Sequence, residues 1–342
     1  MENLAALRKK VDSIDASIIE LISRRLDITN EIGNFKKARG MPVYDKKREM
    51  ELERRWLSIA KRYALDGDIA TQVLGQVLRF SKMAEAKPEN GIAVVIVGTG
   101  SMAEALGMLI RRAGYCVFVT GRNKAKVKML AERIGARELP KKRINADYAI
   151  LCVPPEALNE STMKLMANCN VGIVMDVSSS KADSFDKARN LASAAGNKFV
   201  STHPLFGLED AEPGARIVII TDKVEPKEIK NVSMFWTSAG LRPVLMSIAD
   251  HEKAMAVSQI LRHAFALGFY DSVVELSKEL HVDYENRCTS KFSQMLDNAK
   301  AIKSEEWVAA EIAESNLYSK KAYAIAKKNL EKHANARFLN LK

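Results

Sequence analysis

The spacing of apolar residues divides the chain into three parts. Residues 3–86 have helical spacing throughout, and breakers near residues 40–42 and 66–68 divide this part into one long helix and two shorter helices. From residue 92, short apolar strands alternate with helical stretches, as in a parallel α/β domain. From about residue 225 the spacing is helical again. We therefore predict a multidomain chain, with an all-α domain at 1–87, an α/β domain at 91–224 and an all-α domain at 225–342.

The composition is that of a soluble globular protein and narrows the choice of partners. Of the 342 residues, 47% are hydrophobic and 28% are charged, and the formal net charge is +11. The basic residues are mixed with acidic ones along the helices, and no aromatic-basic motif accompanies them. We therefore expect no nucleic-acid partner, and a basic surface that attracts small polyanionic substrates.

Apolar runs and cysteines indicate the compartment. The longest apolar runs are too short to span a bilayer, so we expect no membrane partner. The first residues are polar and lack the apolar core of a secretory signal. The four cysteines are widely spaced and form neither a metal-ligand pair nor a disulfide framework. These features predict a cytoplasmic protein without a metal site.

The first helix carries a heptad seam with one charged residue in it. Steps of three and four from Leu4 reach ten positions up to Phe35, and nine of them are apolar. Such a seam packs against other helices, and we expect a partner chain. The exception is Arg25, because a guanidinium in a buried seam is costly unless it is paired. Arg25 is therefore a member of a structural ion pair, a polar residue that sets the register of the helices, or part of an anion-binding site.

Further polar residues favour the anion-binding site. Lys36 follows Arg25 by eleven residues, which returns it to nearly the same helix face at about 100° per residue. Arg8 is rotated by roughly 100° from them, so it is expected to reach a site on a partner chain. The other helices add Asp45, Arg48, Glu49, Ser81 and Glu85. Together these residues predict a buried pocket for a dianion.

This set of residues resembles the all-helical chorismate mutases, without a gap from Arg8 to Glu85. The resemblance implies an intertwined homodimer with two shared sites, which rearranges chorismate to prephenate by selecting a compact conformer and stabilising charge at the breaking C–O bond. Arg8, Arg25 and Arg48 would bind carboxylates or fix the pocket. Lys36 and residue 85 would bond to the ether oxygen, and Glu49 would hold the ring hydroxyl. The positions that carry over are Arg8, Arg25, Lys36, Asp45, Arg48, Glu49, Ser81 and Glu85.

The segment VVIVGTGSMAEALG (94–107) predicts a dinucleotide site in the α/β domain. It joins an apolar strand, a glycine-rich turn and a helix that begins with Ser101 and Met102. Gly98 permits the tight turn, and Gly100 lets the backbone approach a pyrophosphate. Ala103 is small enough for the helix and strand to pack. This arrangement is typical of a Rossmann domain.

The end of the second strand bears on the choice of cofactor. NAD sites usually place Asp or Glu there, whereas residues 119–123 include neither. Arg122 suits a 2′-phosphate through its charge and bidentate geometry, so NADP is favoured over NAD. The alternative is that Arg122 is a solvated loop residue.

Four downstream segments resemble the prephenate and arogenate dehydrogenases from about residue 92 to 315. They are DVSSSK (176–181), STHPLFG (201–207), ADHEKAMAVSQILRH (249–263) and YENRCTSKFSQML (284–296). With the N-terminal resemblance, the chain is similar to the bifunctional chorismate mutase–prephenate dehydrogenases of tyrosine biosynthesis. The resemblance implies that prephenate is oxidised and loses CO₂, giving 4-hydroxyphenylpyruvate, and that the C-terminal helices contribute to substrate binding and dimerisation.

The same resemblance assigns roles to individual residues. His203 would take the proton of the ring 4-hydroxyl, as suits an imidazole that titrates near neutral pH. Ser179 would orient His203, and Arg287 would bind the ring carboxylate. His251 would lie near nicotinamide and substrate, with Lys181 as a further pocket residue. From the residues alone, His203 could instead be a turn residue, Arg287 a surface helix residue and His251 a helix N-terminal residue.

Two rival interpretations stay open at this point. One is an arogenate dehydrogenase with a vestigial mutase. The other treats the N-terminal domain as a dimerisation module alone, although a pure coiled-coil seam would prefer an apolar residue in place of Arg25.

Glu85 generates a pH prediction, because bacterial domains of this type usually carry Gln at this position while the fungal branch carries Glu. An ionised Glu85 cannot donate a hydrogen bond to the ether oxygen. We therefore expect mutase activity to fall as Glu85 loses its proton, and the Glu85→Gln variant to be less sensitive to pH. Chorismate consumption measured between about pH 5 and 8 checks this, and a flat profile for the unmodified protein contradicts it.

Overall fold

A computed structural model describes residues 4–39, 45–87, 91–182, 184–285 and 287–339. The chain forms two compact units. The first comprises residues 1–177, 189–219 and 223–245, and the second comprises residues 178–188, 220–222 and 246–342. Within the described ranges, no helix is both long and apolar enough to cross a bilayer.

The first unit begins with the predicted long helix and two shorter helices. They are α1 (Leu4–Ala38), α2 (Lys46–Arg62) and α3 (Gly67–Glu85). The predicted break near residues 40–42 lies outside the described residues. The break at 66–68 has a local cause, because the Asp66 carboxylate caps α3 by accepting hydrogen bonds from the backbone N–H groups of Asp68 and Ile69.

Helices α1 and α3 approach each other very closely at Gly33. A Cβ atom added to Gly33 would lie 2.2 Å from the backbone oxygen of Glu85 and 2.6 Å from its Cα. Glycine is therefore required here by the close approach of two helices rather than by its own backbone conformation. This contact fixes the last turn of α3 against α1.

The apolar seam of α1 remains largely uncovered in the single chain. The side chains of Val11, Ile14 and Leu21 are all more than half exposed, and Ile18 and Ile32 are exposed to a lesser degree. An apolar stripe of this length is larger than the scattered apolar residues that are usual on a protein surface.

An eight-stranded sheet follows in the order β3-β2-β1-β4-β5-β6-β7-β8. Strands β1 to β6 pair in parallel, and the crossover from one half of the sheet to the other lies between β1 and β4. The pairing of β6 with β7 is antiparallel, so the expectation of a wholly parallel sheet is wrong at this edge. The strands are β1 (Ala93–Val97), β2 (Cys116–Thr120), β3 (Arg137–Glu138), β4 (Ile144–Leu151), β5 (Cys169–Asp176), β6 (Lys198–Pro204), β7 (Arg216–Ile220) and β8 (Arg242–Met246).

Helices cover the sheet and complete its core. Every residue of β1 is buried, as expected of a central parallel strand with both faces covered. The Phe235 ring contacts the rings of Tyr115, Tyr148 and Trp236. The helices of this part are α4 (Ser101–Arg112), α5 (Lys124–Ile134), α6 (Glu160–Lys164), α7 (Ser184–Ala194) and α8 (Pro226–Ser238). Because β8 follows α8, the α/β architecture continues to Met246, beyond the predicted boundary at 224.

The second unit is mainly helical. It contains α9 (Ile248–Met255), a π-helical turn (Ala256–Ile260), α10 (Leu261–Glu279), α11 (Ser290–Ser304), α12 (Glu306–Ser315) and α13 (Ser319–Leu339). Its core is built around the π-helical turn, where Ala256 and Ile260 pack with Ile312 and Ala322.

The contact at Gly33 leads to a stability prediction. We expect Gly33→Ala to destabilise the helical domain by about 1–3 kcal/mol, because the added methyl overpacks the α1–α3 contact. Gly75→Ala on α3 is the matched control, since an added Cβ there meets nothing within 4 Å. That variant should be neutral or stabilising by up to about 1 kcal/mol through helix propensity. Urea unfolding followed by circular dichroism distinguishes the two, and equal effects would contradict the packing argument.

Candidate active sites

Four of the predicted polar residues meet between α1 and α3. The Arg25 guanidinium donates to the Ser81 hydroxyl, which in turn donates to the backbone oxygen of Val77 at 2.6 Å. One turn further along α3, Lys36 Nζ lies 2.6 Å from Glu85 Oε2. Ser81 is buried, and the Lys36 and Glu85 side chains are only 17% and 12% exposed. The structure thus places two cations of α1 opposite two polar groups of α3.

The position of Arg25 is electrostatically costly. Burial lowers the pKa of the Arg25 guanidinium from its ordinary value, and the nearby Glu85 raises it in part. Arginine stays charged under all ordinary conditions, so this pocket holds a permanent positive charge. A buried cation of this kind is stabilised by any anion that enters.

A second ion pair joins α2 to α3. Glu49 Oε1 lies 2.8 Å from Lys82 Nζ, and both side chains are partly exposed. Lys82 was missed in the sequence analysis, because a lysine beside Ser81 on a helix is indistinguishable from a surface residue. In the structure Lys82 orients Glu49, the residue predicted to hold a ring hydroxyl.

The remaining predicted mutase residues lie elsewhere. Asp45 is not within a helix but caps α2, accepting from the backbone N–H of Arg48 at 3.0 Å. Arg48 is exposed and pairs with Glu51 at 3.4 Å. Arg8 is exposed on α1. None of these three meets the Arg25–Ser81 pair among the contacts of the described residues.

The glycine-rich turn lies at the carboxyl edge of the sheet, at the crossover between β1 and β4. Gly98 has φ +131°, a conformation that strongly favours glycine, and a Cβ there would lie 2.1 Å from the backbone oxygen of Cys152. Its N–H donates to the backbone oxygen of Thr120 at 2.9 Å. The turn is therefore held between β2 and the end of β4, at the topological switch point where α/β proteins bind ligands.

The start of α4 fits a pyrophosphate. Gly100 is the N-cap, no side chain caps the helix, and a Cβ built there meets nothing within 4 Å. Ser101 is exposed and Met102 is half-buried, and the N-terminus of a helix is a favourable site for a phosphate. Ala103 is fully buried, as expected for close packing of helix and strand. These residues fit a dinucleotide.

Side chains after β2 surround the expected position of an adenosine ribose. Thr120 is buried, and Asn123 caps α5 by accepting from the backbone N–H of Lys126 at 3.1 Å. Arg122 between them is exposed. With Asn123 engaged in capping, Arg122 is the cationic group that this loop presents to solvent.

His203 lies in a strand rather than in a turn. It is the sixth residue of β6, it is 3% exposed, and it pairs with Val218 of the antiparallel strand β7. The preceding Thr202 donates its hydroxyl hydrogen to the backbone oxygen of Asp176 at 2.8 Å, which ties β6 to the carboxyl end of β5. His203 is thus rigidly placed at the same edge of the sheet as Gly98.

The second unit contains a buried polar cluster around Glu252. The Glu252 carboxylate accepts from the backbone N–H of Lys181 at 3.1 Å and lies 3.3 Å from His251 Nδ1. Asn316 donates to the backbone oxygen of Glu252 at 2.9 Å. Lys181, His251 and Glu252 are all at most 1% exposed. Glu252 and Asn316 were missed in the sequence analysis, because their burial depends on how α9 and α12 pack.

The other predicted residues of this unit are more accessible. Ser179 is half-buried, between the buried Ser178 and Ser180. Arg287 is exposed in the loop between α10 and α11, so it is not a helix residue. His251 lies in the second turn of α9, whose N-cap is Ser247, and is fully buried.

Two family models match the chain in succession. The model for chorismate mutase type II matches residues 7–86, and the model for the nucleotide-binding domain of prephenate dehydrogenase matches residues 106–244. The chain therefore carries, in succession, a chorismate mutase type II domain and the nucleotide-binding domain of a prephenate dehydrogenase. The two predicted enzyme activities are thereby confirmed.

Individual relatives support both halves of this bifunctional enzyme. The T-protein of Haemophilus influenzae is 25% identical over 280 residues, which cover 79% of this chain and 71% of that protein. The chorismate mutase of Methanocaldococcus jannaschii is 29% identical over 82 residues, covering 24% of this chain and 83% of its own. A crystal structure of prephenate dehydrogenase from Aquifex aeolicus in complex with hydroxyphenyl propionate and NAD⁺ shares the fold. Its TM-score is 0.57 at 22% identity, over 73% of this chain and 90% of that one.

The Glu49–Lys82 pair gives a test of the mutase site. We expect Lys82→Ala to raise the KM for chorismate about two- to fivefold, because Glu49 loses the partner that orients it, and a partly exposed pair of this kind contributes up to about 1 kcal/mol. The value of kcat should change less, since the partner of Lys82 is Glu49, which is predicted to hold the ring hydroxyl and not the ether oxygen. Lys61→Ala, at an exposed position of α2, serves as the control. Identical kinetics for the two variants would show that Lys82 has no role in the site.

Proposed function

We propose that the helical domain converts chorismate to prephenate and that the following domains oxidise this prephenate to 4-hydroxyphenylpyruvate, in tyrosine biosynthesis. The observation that carries the proposal is the presence of both family domains on one chain. The product of the first reaction is the substrate of the second, so the two activities form one sequence. Chorismate and prephenate are then the small-molecule partners.

In the mutase, the charged groups between α1 and α3 would act on the substrate without forming a covalent bond. Arg25 offers a permanent charge to a carboxylate of chorismate. Lys36, which is paired with Glu85, would bond to the ether oxygen, where negative charge develops. Glu85 would position Lys36 through this pair, and only its protonated form could itself donate to the ether oxygen. Glu49 would accept from the ring hydroxyl, and Ser81 would hold Arg25. Asp45 and Arg48, which do not meet the Arg25–Ser81 pair among the described residues, stay proposed as further residues of the pocket.

The uncovered seam of α1 supports a homodimer. A second copy of the chain would bury the exposed apolar side chains of both helices, which stabilises the pair through the area removed from water. The same packing would bring Arg8 of the partner subunit to the pocket. Arg8 meets no pocket residue among the contacts within one chain.

In the dehydrogenase, Gly98 and the open start of α4 at Gly100 would hold the pyrophosphate, with Ser101, Met102 and Ala103 in the first turn. A nicotinamide cofactor supplies the hydride acceptor when bound. We favour NADP over NAD, because Arg122 is exposed where a 2′-phosphate would lie and no acidic residue accompanies it.

His203 would take the proton of the prephenate ring hydroxyl as the hydride leaves and the ring carboxylate departs as CO₂. Its place in a strand gives it a fixed position, as a general base requires. Ser179 would orient the imidazole, and Arg287 would bind the ring carboxylate. His251 and Lys181 would line the pocket, where the Glu252 carboxylate holds the His251 ring.

We further propose a cytoplasmic location without nucleic-acid or membrane partners. All four cysteines are free thiols, as is usual in a reducing compartment.

One experiment tests the two reactions in succession. Chorismate is supplied with NADP⁺ or NAD⁺, and chorismate, reduced cofactor and 4-hydroxyphenylpyruvate are followed together. We expect all three to change in step, with the higher kcat/KM for NADP⁺. Replacing chorismate by arogenate or prephenate identifies the dehydrogenase substrate.

The His203→Asn variant separates the two sites. We expect loss of cofactor reduction by about two to four orders of magnitude, the typical contribution of a general base, with chorismate consumption unchanged. Loss of both activities in a folded variant would contradict two separate sites.

A further inference from the structure

Helix α3 is packed on two nearly opposite faces. Ser81 and Glu85 point towards α1, and the residues two positions earlier, Arg79 and Met83, are rotated from them by about 200° at about 100° per residue. Arg79 and Met83 contact the α/β part of the same compact unit, where α3 packs on α8. The helix that carries Ser81 and Glu85 is thus also attached to the α/β part of the unit.

Arg79 and Met83 lie on two glycines. Gly214 has φ +99° in the turn Glu212–Ala215, whose Ala215 N–H donates to the backbone oxygen of Glu212 at 3.1 Å. Pro213 and Gly214 at the centre give this turn the residues of a type II β-turn. Gly240 has φ +87° and ends α8 in a Schellman motif, with the N–H of Gly240 bonded to Thr237 and that of Leu241 bonded to Trp236.

The two glycine segments form one surface. The Gly214 N–H donates to the backbone oxygen of Gly240 at 2.7 Å, and the Arg242 N–H donates to that of Ala215 at 2.8 Å. These main-chain bonds hold the surface together without any contribution from α3. Its Glu212–Ala215 turn belongs to the loop that connects β6, the strand of His203, to β7.

Each glycine receives one side chain of α3. A Cβ on Gly214 would lie 2.8 Å from Arg79 Nε and 2.9 Å from its Cδ. A Cβ on Gly240 would lie 3.0 Å from Met83 Sδ and 3.2 Å from its Cε. The Arg79 guanidinium also donates to the backbone oxygen of Pro213 at 3.3 Å. The turn and the helix end explain why glycines are present, but the residues that lie on them come from another domain.

We propose that Arg79 and Met83 are positioning residues of the mutase: by seating on Gly214 and Gly240 they fix α3, and so set Ser81 against Arg25 and Glu85 against Lys36. On its opposite face α3 cannot move closer to α1, since Gly33 already contacts the Glu85 backbone. The mutase pocket therefore depends on a surface of the dehydrogenase domain. This inference rests on the proposed mutase reaction for its kinetic test.

The dependence is asymmetric. The dehydrogenase side of the contact is held by its own main-chain bonds, whereas α3 relies on its side chains for this attachment. Weakening the contact should therefore impair the mutase and leave oxidation of supplied prephenate within about twofold of the unmodified enzyme. A misplacement of catalytic groups by about 1 Å costs up to a hundredfold in rate, so even a partial shift of α3 is measurable.

The test compares Arg79→Ala, Met83→Ala and the double variant with Gln72→Ala, all in the full chain. Gln72 is exposed and lies on the same face of α3, two turns before Arg79. We expect mutase kcat/KM to fall about tenfold in the double variant, to be unaffected in Gln72→Ala, and to recover in part in Arg79→Lys. Turnover of supplied prephenate serves as the folding control.

A double-variant cycle distinguishes positioning from general destabilisation. If Arg79 acts through Ser81, the effect of Arg79→Ala should shrink in a Ser81→Ala background, whereas effects that multiply fully would overturn the proposal. Hydrogen–deuterium exchange across Gly67–Glu85 gives a readout that does not need activity. Exchange should accelerate in the double variant and not in Gln72→Ala. If exchange is unchanged in the double variant, the contact is refuted, whatever the mutase assay shows. If exchange accelerates in the double variant but the unmodified enzyme has no mutase activity, only the proposed reaction is refuted.

Discussion

The close contact of α1 with α3 is the constraint on which the mutase site depends. Gly33 allows the backbone of Glu85 to approach to a distance that no other residue permits. That approach brings Lys36 to the Glu85 carboxylate and, one turn earlier on α3, Arg25 to Ser81. A helical pair separated by ordinary side chains would leave these polar groups apart, and Arg25 would be a half-buried cation without a hydrogen-bond acceptor on α3.

The charges of this pocket suit a dianion. Arg25, Lys36 and Lys82 contribute three positive charges, and Glu49 and Glu85 contribute two negative ones when ionised, so these five side chains carry one positive charge in excess. A dimer that adds the partner subunit's Arg8 would match the two carboxylates of chorismate. The ion pairs also orient the lysines, which reduces the reorganisation required when substrate enters.

The sheet provides a different kind of site. In the helical domain the candidate site is formed by charged side chains, whereas at the carboxyl edge of the sheet it is formed largely by the backbone. The turn at Gly98 is held between Thr120 and Cys152, and α4 begins at Gly100, where an added Cβ would meet nothing within 4 Å. Burial and the neighbouring negative charge of Asp176 raise the pKa of the Cys152 thiol, so this edge offers no reactive thiolate beside the turn. His203 is placed here by strand pairing, which fixes its direction more firmly than a loop would.

The sequence by itself determined the order of the helical and α/β parts and the nucleotide turn, and it proposed most of the charged residues of the candidate sites. Each of these features depends on local spacing or on a motif of adjacent residues. It identified Arg25 as anomalous within an apolar seam, and Lys36 as its neighbour. It did not identify the roles of Lys82 and Glu252 or the contacts of Arg79 and Met83 with the two glycines. These features arise from contacts between residues far apart in the chain. The extension of the sheet to β8 and its antiparallel pairing at β7 were likewise decided only by tertiary structure, because the direction of a strand depends on where the chain returns to the sheet.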